Sequence, residues 1–180
     1  MSIVIQAAEQ MELGAPARGR LEPGMSPREA VQVLLEGGDT QDALKLLARL
    51  LPKRYAVAWA CQCARDVALP LEDRAGAALA EQWVREPEEP HRRAAFEFAN
   101  AGGYKSIGAW LAACAGWASG SLAPATQETP VPPAEHLTAC AVVAAINLMA
   151  GLEPERFEQR RAGFMARAMS LLGAGEMQTS

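Results

Sequence analysis

The chain is poor in aromatic residues and in histidine, and it lacks an excess of positive charge. Aromatics make up 6% of its 180 residues, and its two histidines are His91 and His136. No Glu-x-x-His and no His-x-x-x-His metal pair is expected, and any histidine-assisted nucleophile would have to use one of these two positions. The net charge of −4 argues against nucleic acid as a partner, because neutralising phosphates needs a basic surface. No window reaches the roughly 20 apolar residues of a membrane span. The richest stretch, Leu137 to Met149, reads as a core helix, so no membrane partner is expected. Residues Met1-Ser2-Ile3-Val4-Ile5-Gln6 have neither the basic start nor the apolar run of a signal peptide, and the expected location is cytoplasmic.

Cysteine is sparse too. Cys61 and Cys63 are two apart, which on a helix points them about 200° away from each other. They do not form the C-x-x-C of redox or zinc sites. Together with Cys114 and Cys140 they sit in apolar helical stretches, so reduced, buried thiols are expected, as in a reducing compartment. Glu135 and His136 are adjacent and diverge on a helix, so no metal and no cofactor is expected.

What is present is alanine-rich helix, sized for a single domain with its own core. Residues 1–25, punctuated by Gly14, Pro16, Gly19, Pro23 and Gly24, are expected as a loosely ordered arm. From Ser26 the helix signals are regular. Ser26-Pro27-Arg28-Glu29 is a capping box with proline at the first helical position, and Gly37-Gly38 stops that helix. A second helix follows Asp39 or Thr40, and a third starts at Pro52 with Tyr55, Trp59 and Cys63 on one face. The fourth, after Pro70, is expected to bury Leu71, Ala75, Leu79 and Trp83. Later helices begin at the Glu86–Pro90 corner, at Ser106, near Ala134 and at Pro154. The predicted fold is all-α, an irregular bundle of about eight antiparallel helices stacked as hairpins over residues 26–175, with a tail at 176–180. Trp59, Trp83 and Trp110 are expected to be buried.

Two catalytic patterns fail. Gly102-Gly103-Tyr104-Lys105-Ser106 has tyrosine where a phosphate loop needs glycine, and no strand precedes it. Trp117-Ala118-Ser119-Gly120 lacks the Gly-x-Ser-x-Gly of a nucleophile elbow. No catalytic residue and no small-molecule substrate is expected. Arg156, Arg160 and Arg167 line one side of the last helix and read as a solvated face or a partner surface.

The break in the helical pattern is the place to look for function. After Trp117 the chain runs through Ser119, Gly120 and Ser121, then crosses Pro124, Pro130, Pro132 and Pro133 before helix resumes. A loop of more than about a dozen residues in a compact domain is usually functional or disordered. Arg92 and Arg93 add cations at a helix N-terminus, where the helix dipole disfavours them. The expected partner-binding set is Arg92, Arg93, Trp117, Ser119, Ser121, Leu122, Pro124 and Val131.

Several stretches carry a resemblance: Pro27 to Val31, Leu51 to Ala60, Trp83 to Pro87, Arg92 to Ala95, Ala118 to Pro124, and Pro132-Pro133 followed by His136-Leu137-Thr138. In this order, from Ser26 to roughly Gly173, they resemble a family of short all-helical bacterial proteins of unknown function, often associated with type VI secretion clusters. The resemblance implies a non-enzymatic adaptor, accessory or chaperone-like protein whose partner is a secretion component or its cargo. The alternative is an immunity protein that covers the active site of a toxin.

Overall fold

The computed structural model describes the backbone of residues 2–177 and the side chains of residues 2–172. Its α-helices are α1 (Ile3–Gln10), α2 (Ala15–Gly19), α3 (Pro27–Glu36), α4 (Thr40–Leu50), α5 (Lys53–Arg65), α6 (Arg74–Arg85), α7 (Glu89–Ala101), α8 (Ile107–Gly116), α9 (Leu137–Ala150) and α10 (Phe157–Met177). Single 3-10 turns at Leu71–Asp73 and Pro154–Arg156 lead into α6 and α10. No strand occurs among the described residues. The fold is all-α, and each helix expected from Ser26 onward is present.

The punctuation works as its chemistry dictates. Ser26 Oγ accepts from the Glu29 N–H at 3.2 Å, and the Ser26 N–H donates to Glu29 Oε2 at 2.8 Å, which closes the capping box. Gly38 takes φ 81 and turns the chain into α4. Ser106 Oγ accepts from Ala109 N–H at 3.1 Å and starts α8. Gly103 and Tyr104 (φ 61 and φ 57) make the tight corner before it, so the glycine pair is a helix-to-helix turn.

α8 and α9 are apolar on all sides and lie at the centre, where a helix without a polar face must be. α8 packs against α6, α7 and α9, and α9 also touches α4, α5 and α10. Alanine and glycine let these axes approach closely. A Cβ on Gly76 would lie 2.0 Å from the Gly108 carbonyl oxygen, and one on Gly116 would lie 2.6 Å from the Phe96 Cα. At the same contact the buried Asp73 carboxylate accepts the Gly108 N–H at 2.9 Å and so caps α8 from another element. The buried Trp59 Nε1–H donates to the Phe164 carbonyl at 2.8 Å, fixing α5 to α10.

Three expectations are corrected. The N-terminal stretch is helical and packed, not a loose arm. Val4, Ala7, Ala8 and Met11 fall at helical spacing and are buried, followed by Leu13, Ala17 and Leu21. Polar ties hold the stretch to α4 and its cap: Arg49 Nε donates to Gln10 Oε1 at 2.7 Å, Gly14 N–H to Asp42 at 3.2 Å, and Arg20 pairs with Asp39 at 3.0 Å. The buried stripe of α6 is Gly76, Ala80 and Trp83, while Leu71 is 76% exposed and Ala75 is exposed, because close approach to α8 selects the small-residue side. Trp59 and Trp83 are buried as expected, but Trp110 is half-buried. The tail expected at 176–180 lies outside the described residues, except that the α10 backbone runs on to Met177. No single helix among the described residues is long and apolar enough to cross a membrane.

Candidate interaction face

The first turn of α7 carries Glu89 and Arg92, one turn apart on the same side. Arg92 is fully buried. Its Nε and Nη2 donate to the two Glu89 carboxylate oxygens at 2.7 and 2.6 Å, and its Nη1 donates to the Gly116 carbonyl at 2.8 Å. The hydrogen bonds from Arg92 hold the Glu89 carboxyl below its usual pKa. The unfavourable cation at a helix N-terminus is thus offset by a carboxylate of the same turn, and the guanidinium satisfies a carbonyl that the end of α8 leaves open. Arg92 does not reach solvent, so its expected role in partner contact is corrected: it is an internal tie.

The chain from Trp117 to His136 forms a strap pinned at several points. Ser121 Oγ accepts the N–H of Ala123 at 3.1 Å and of Val131 at 2.9 Å, and Leu122 N–H donates to the Val131 carbonyl at 2.8 Å. Arg93 Nη1 donates to the Ala123 carbonyl at 2.9 Å, with its guanidinium 5.4 Å from the Phe96 ring centre. At the strap's ends, Lys53 Nζ donates to the Ala118 carbonyl at 3.0 Å and pairs with Glu135 at 3.3 Å. Gly120 has φ 71, and a Cβ there would lie 2.5 Å from Arg92 Nε, so glycine is required twice over. Between the strap and α7 lies a cleft of about 410 Å³, lined by Arg93, Phe96, Glu97, Asn100, Leu122, Pro124 and Ala125.

Of the residues picked out by sequence, Arg93, Leu122 and Pro124 therefore share one cleft. Ser121 holds the strap's two limbs together. Ser119 is exposed, and so is Val131 on the outer limb at 46%. Trp117 belongs to a different cluster, with ring centres 5.4 Å from Tyr104 and 5.9 Å from Trp110. Sequence reasoning missed Phe96, Glu97 and Asn100, although with Arg93 they recur at helical spacing on one face of α7. It also missed a groove of about 570 Å³ between α3 and α10, lined among others by Arg28, Leu35, Met165 and Met169.

The arginine row that begins in the Pro154–Arg156 turn and continues along α10 is engaged within the chain. Arg156 and Arg160 pair with Glu153 at 3.2 and 3.0 Å, Arg167 pairs with Asp66, and the buried Arg161 pairs with Glu158 over the Phe157 ring.

His91 Nδ1 lies 2.8 Å from the Glu86 carbonyl, which places the proton on that nitrogen and leaves Nε2 to accept from the Gln82 amide at 3.3 Å. Glu86, Glu88 and His91 offer ligand atoms within 4.8 Å of one another, and Glu88 and His91 stand at i, i+3, so the expectation that the chain holds no Glu-x-x-His pair is corrected. A cation there would have to displace the Gln82 amide. Ser121 is occupied by the two backbone amides described above. Burial pushes the Cys61 and Cys63 thiols up to about 12 and raises Cys114 as well, so these sulfurs are protonated at neutral pH and poor nucleophiles. All four cysteines are free.

A family of unknown function, DUF6931, matches residues 30–172. The matched stretch holds the whole strap and cleft and leaves out α1 and α2. No curated protein and no solved structure matches the chain.

Proposed function

Since the chain belongs to DUF6931, a family of unknown function, we propose from its own geometry that it is a non-enzymatic protein-interaction factor that binds a partner over the α7–strap face. One observation carries this reading: the strap is fastened along its length by Ser121, Arg93 and Lys53, yet leaves apolar Leu122 and Pro124 lining an open cleft and Val131 exposed on its outer limb. A rigid, partly apolar loop loses little conformational entropy on docking. A shaped apolar centre with a polar rim, here Arg93, Glu97 and Asn100, is the usual make-up of a binding patch. The assignment to type VI secretion, as an adaptor, accessory or chaperone-like protein acting in the cytoplasm, rests on the sequence resemblance alone. A second reading, an immunity protein that blocks a toxin, is favoured by the exposed acidic corner of Glu86, Glu88 and Glu89 beside the same face, which would suit a basic partner.

Co-purification of the tagged chain with the products of neighbouring genes identifies the partner. Repeating it with Leu122→Asp and with Val131→Asp tests the face. Loss of the partner with an unchanged melting temperature supports the reading. Undiminished binding, or loss of fold, makes the strap a structural element.

A further inference from the structure

Tyr104, Trp110 and Trp117 come together although thirteen positions separate the first from the last. Their ring centres are 5.6, 5.4 and 5.9 Å apart, with the two indoles edge to face at 88°. All three are only half-buried and pack against the edge of the core, the two indoles on the side of α8 away from the close contacts at Gly108 and Gly116. Tyr104 is held at φ 57, a conformation rare for a side-chain-bearing residue, and that turn delivers its ring to the two indoles. A surface cluster of one tyrosine and two tryptophans is the chemistry that recognises extended proline-rich chain: flat rings pack against pyrrolidine rings whose backbone is already ordered.

The same molecule presents such a chain. Pro130-Val131-Pro132-Pro133 has the P-x-x-P spacing. Each proline fixes its own φ, and Thr129, Val131 and Pro132, each directly before a proline, are biased to extended geometry, so much of the segment is ordered by covalent structure. Both backbone groups of Val131 are clamped to the other limb of the strap, by Ser121 and Leu122. Pro130, Val131 and Pro132 are exposed.

We infer that the Tyr104–Trp110–Trp117 patch is a polyproline-binding site and that its occupant is the Pro130–Pro133 segment of a second copy of this chain. The inference rests on the reading of the strap as an interaction element, but its readout is self-association and not capture of another protein. Complementarity on the two sides of the contact argues for the second copy: one face supplies the rings, another the preformed ligand. Patch and segment are different surfaces, so the contact is head-to-tail or closes as a two-fold pair of reciprocal contacts.

The test uses the full chain. A synthetic peptide copying residues 126–135 is titrated while indole fluorescence is followed; Trp59 and Trp83 are buried, so the response comes from Trp110 and Trp117. Sedimentation velocity over a range of protein concentrations gives the association state. A saturable spectral change is expected, absent for the peptide with alanine at its three prolines, together with concentration-dependent self-association that excess peptide reverses. Trp117→Ala weakens peptide binding by about tenfold or more, as expected of a central aromatic anchor. Pro130→Ser with Pro132→Ser lies on the other partner, leaves peptide binding intact and abolishes self-association, so a folding defect at Trp117 cannot imitate the result. No response to the peptide overturns the site. A response in a chain that remains monomeric at all concentrations overturns the second copy as occupant. Failure of either part leaves co-purification through Leu122 untouched, so the two readings fail separately.

Discussion

The Arg92 guanidinium donates to the Gly116 carbonyl at 2.8 Å and thereby joins the first turn of α7 to the last turn of α8. Both helices flank the place where the strap departs, so this buried contact sets the base on which the candidate face is built. Arg92→Met removes the tie, leaves a buried carbonyl without a donor and costs about 3 kcal/mol. Urea unfolding monitored by circular dichroism measures it. Arg93→Ala, which removes a half-buried contact to Ala123, costs about 1 kcal/mol or less.

The closeness of α6 and α8 predicts opposite outcomes at two glycines. Gly76→Ala would place a methyl group 2.0 Å from the Gly108 carbonyl oxygen, so the helices must separate. The expected loss is about 3 kcal/mol. Gly163→Ala, in α10 with nothing within 4 Å of the added carbon, stabilises by about 0.5–1 kcal/mol. Thermal melts of the two variants check both signs.

Acid stability follows from three carboxyls with lowered pKa. Glu29 is held down by the Ser26 N–H, Glu89 by the hydrogen bonds from Arg92, and Glu153 chiefly by Arg160. A carboxyl that is more acidic folded than unfolded binds fewer protons in the native state. Its contribution is complete above the ordinary value of 4.5 and is lost as pH falls through the lower folded value. Stability is therefore insensitive to these groups at neutral pH and declines below about pH 4.5. In Glu89→Gln the decline is shallower, as read from urea midpoints between pH 3 and 7.

The thiols rank by burial. Burial raises the pKa of all four, with Cys61, Cys63 and Cys114 buried and Cys140 half-buried. An aromatic disulfide reagent at pH 8 modifies Cys140 first and reaches the other three only on unfolding. Modification of Cys61 in the folded chain would contradict the packing of α5.

Most of the helical framework was legible because its signals are local. The Ser26 capping box, the Gly37-Gly38 stop, the Ser106 cap and the proline starts each need only a few neighbouring residues. α1 was hidden by the glycines and prolines that follow it, although Val4, Ala7, Ala8 and Met11 have helical spacing. The exposed Leu71 was misplaced because periodicity ranks apolar size, whereas the α6–α8 contact is set by what can fit between two backbones. Within the candidate face, the strap and Arg93 were legible from composition. The burial of Arg92 was not, since it depends on a carbonyl 24 positions away. The meeting of Tyr104 with Trp117 was equally hidden, because it follows from a left-handed turn at a tyrosine.

Hydrogen–deuterium exchange of the chain with and without its co-purified partner tests the central claim most directly. The account predicts slowed exchange on binding over residues 93–100 and 119–133, with α1, α3 and α10 unchanged. Slowing confined to the α3–α10 groove around Leu35 and Met169, with the strap unaffected, would contradict it.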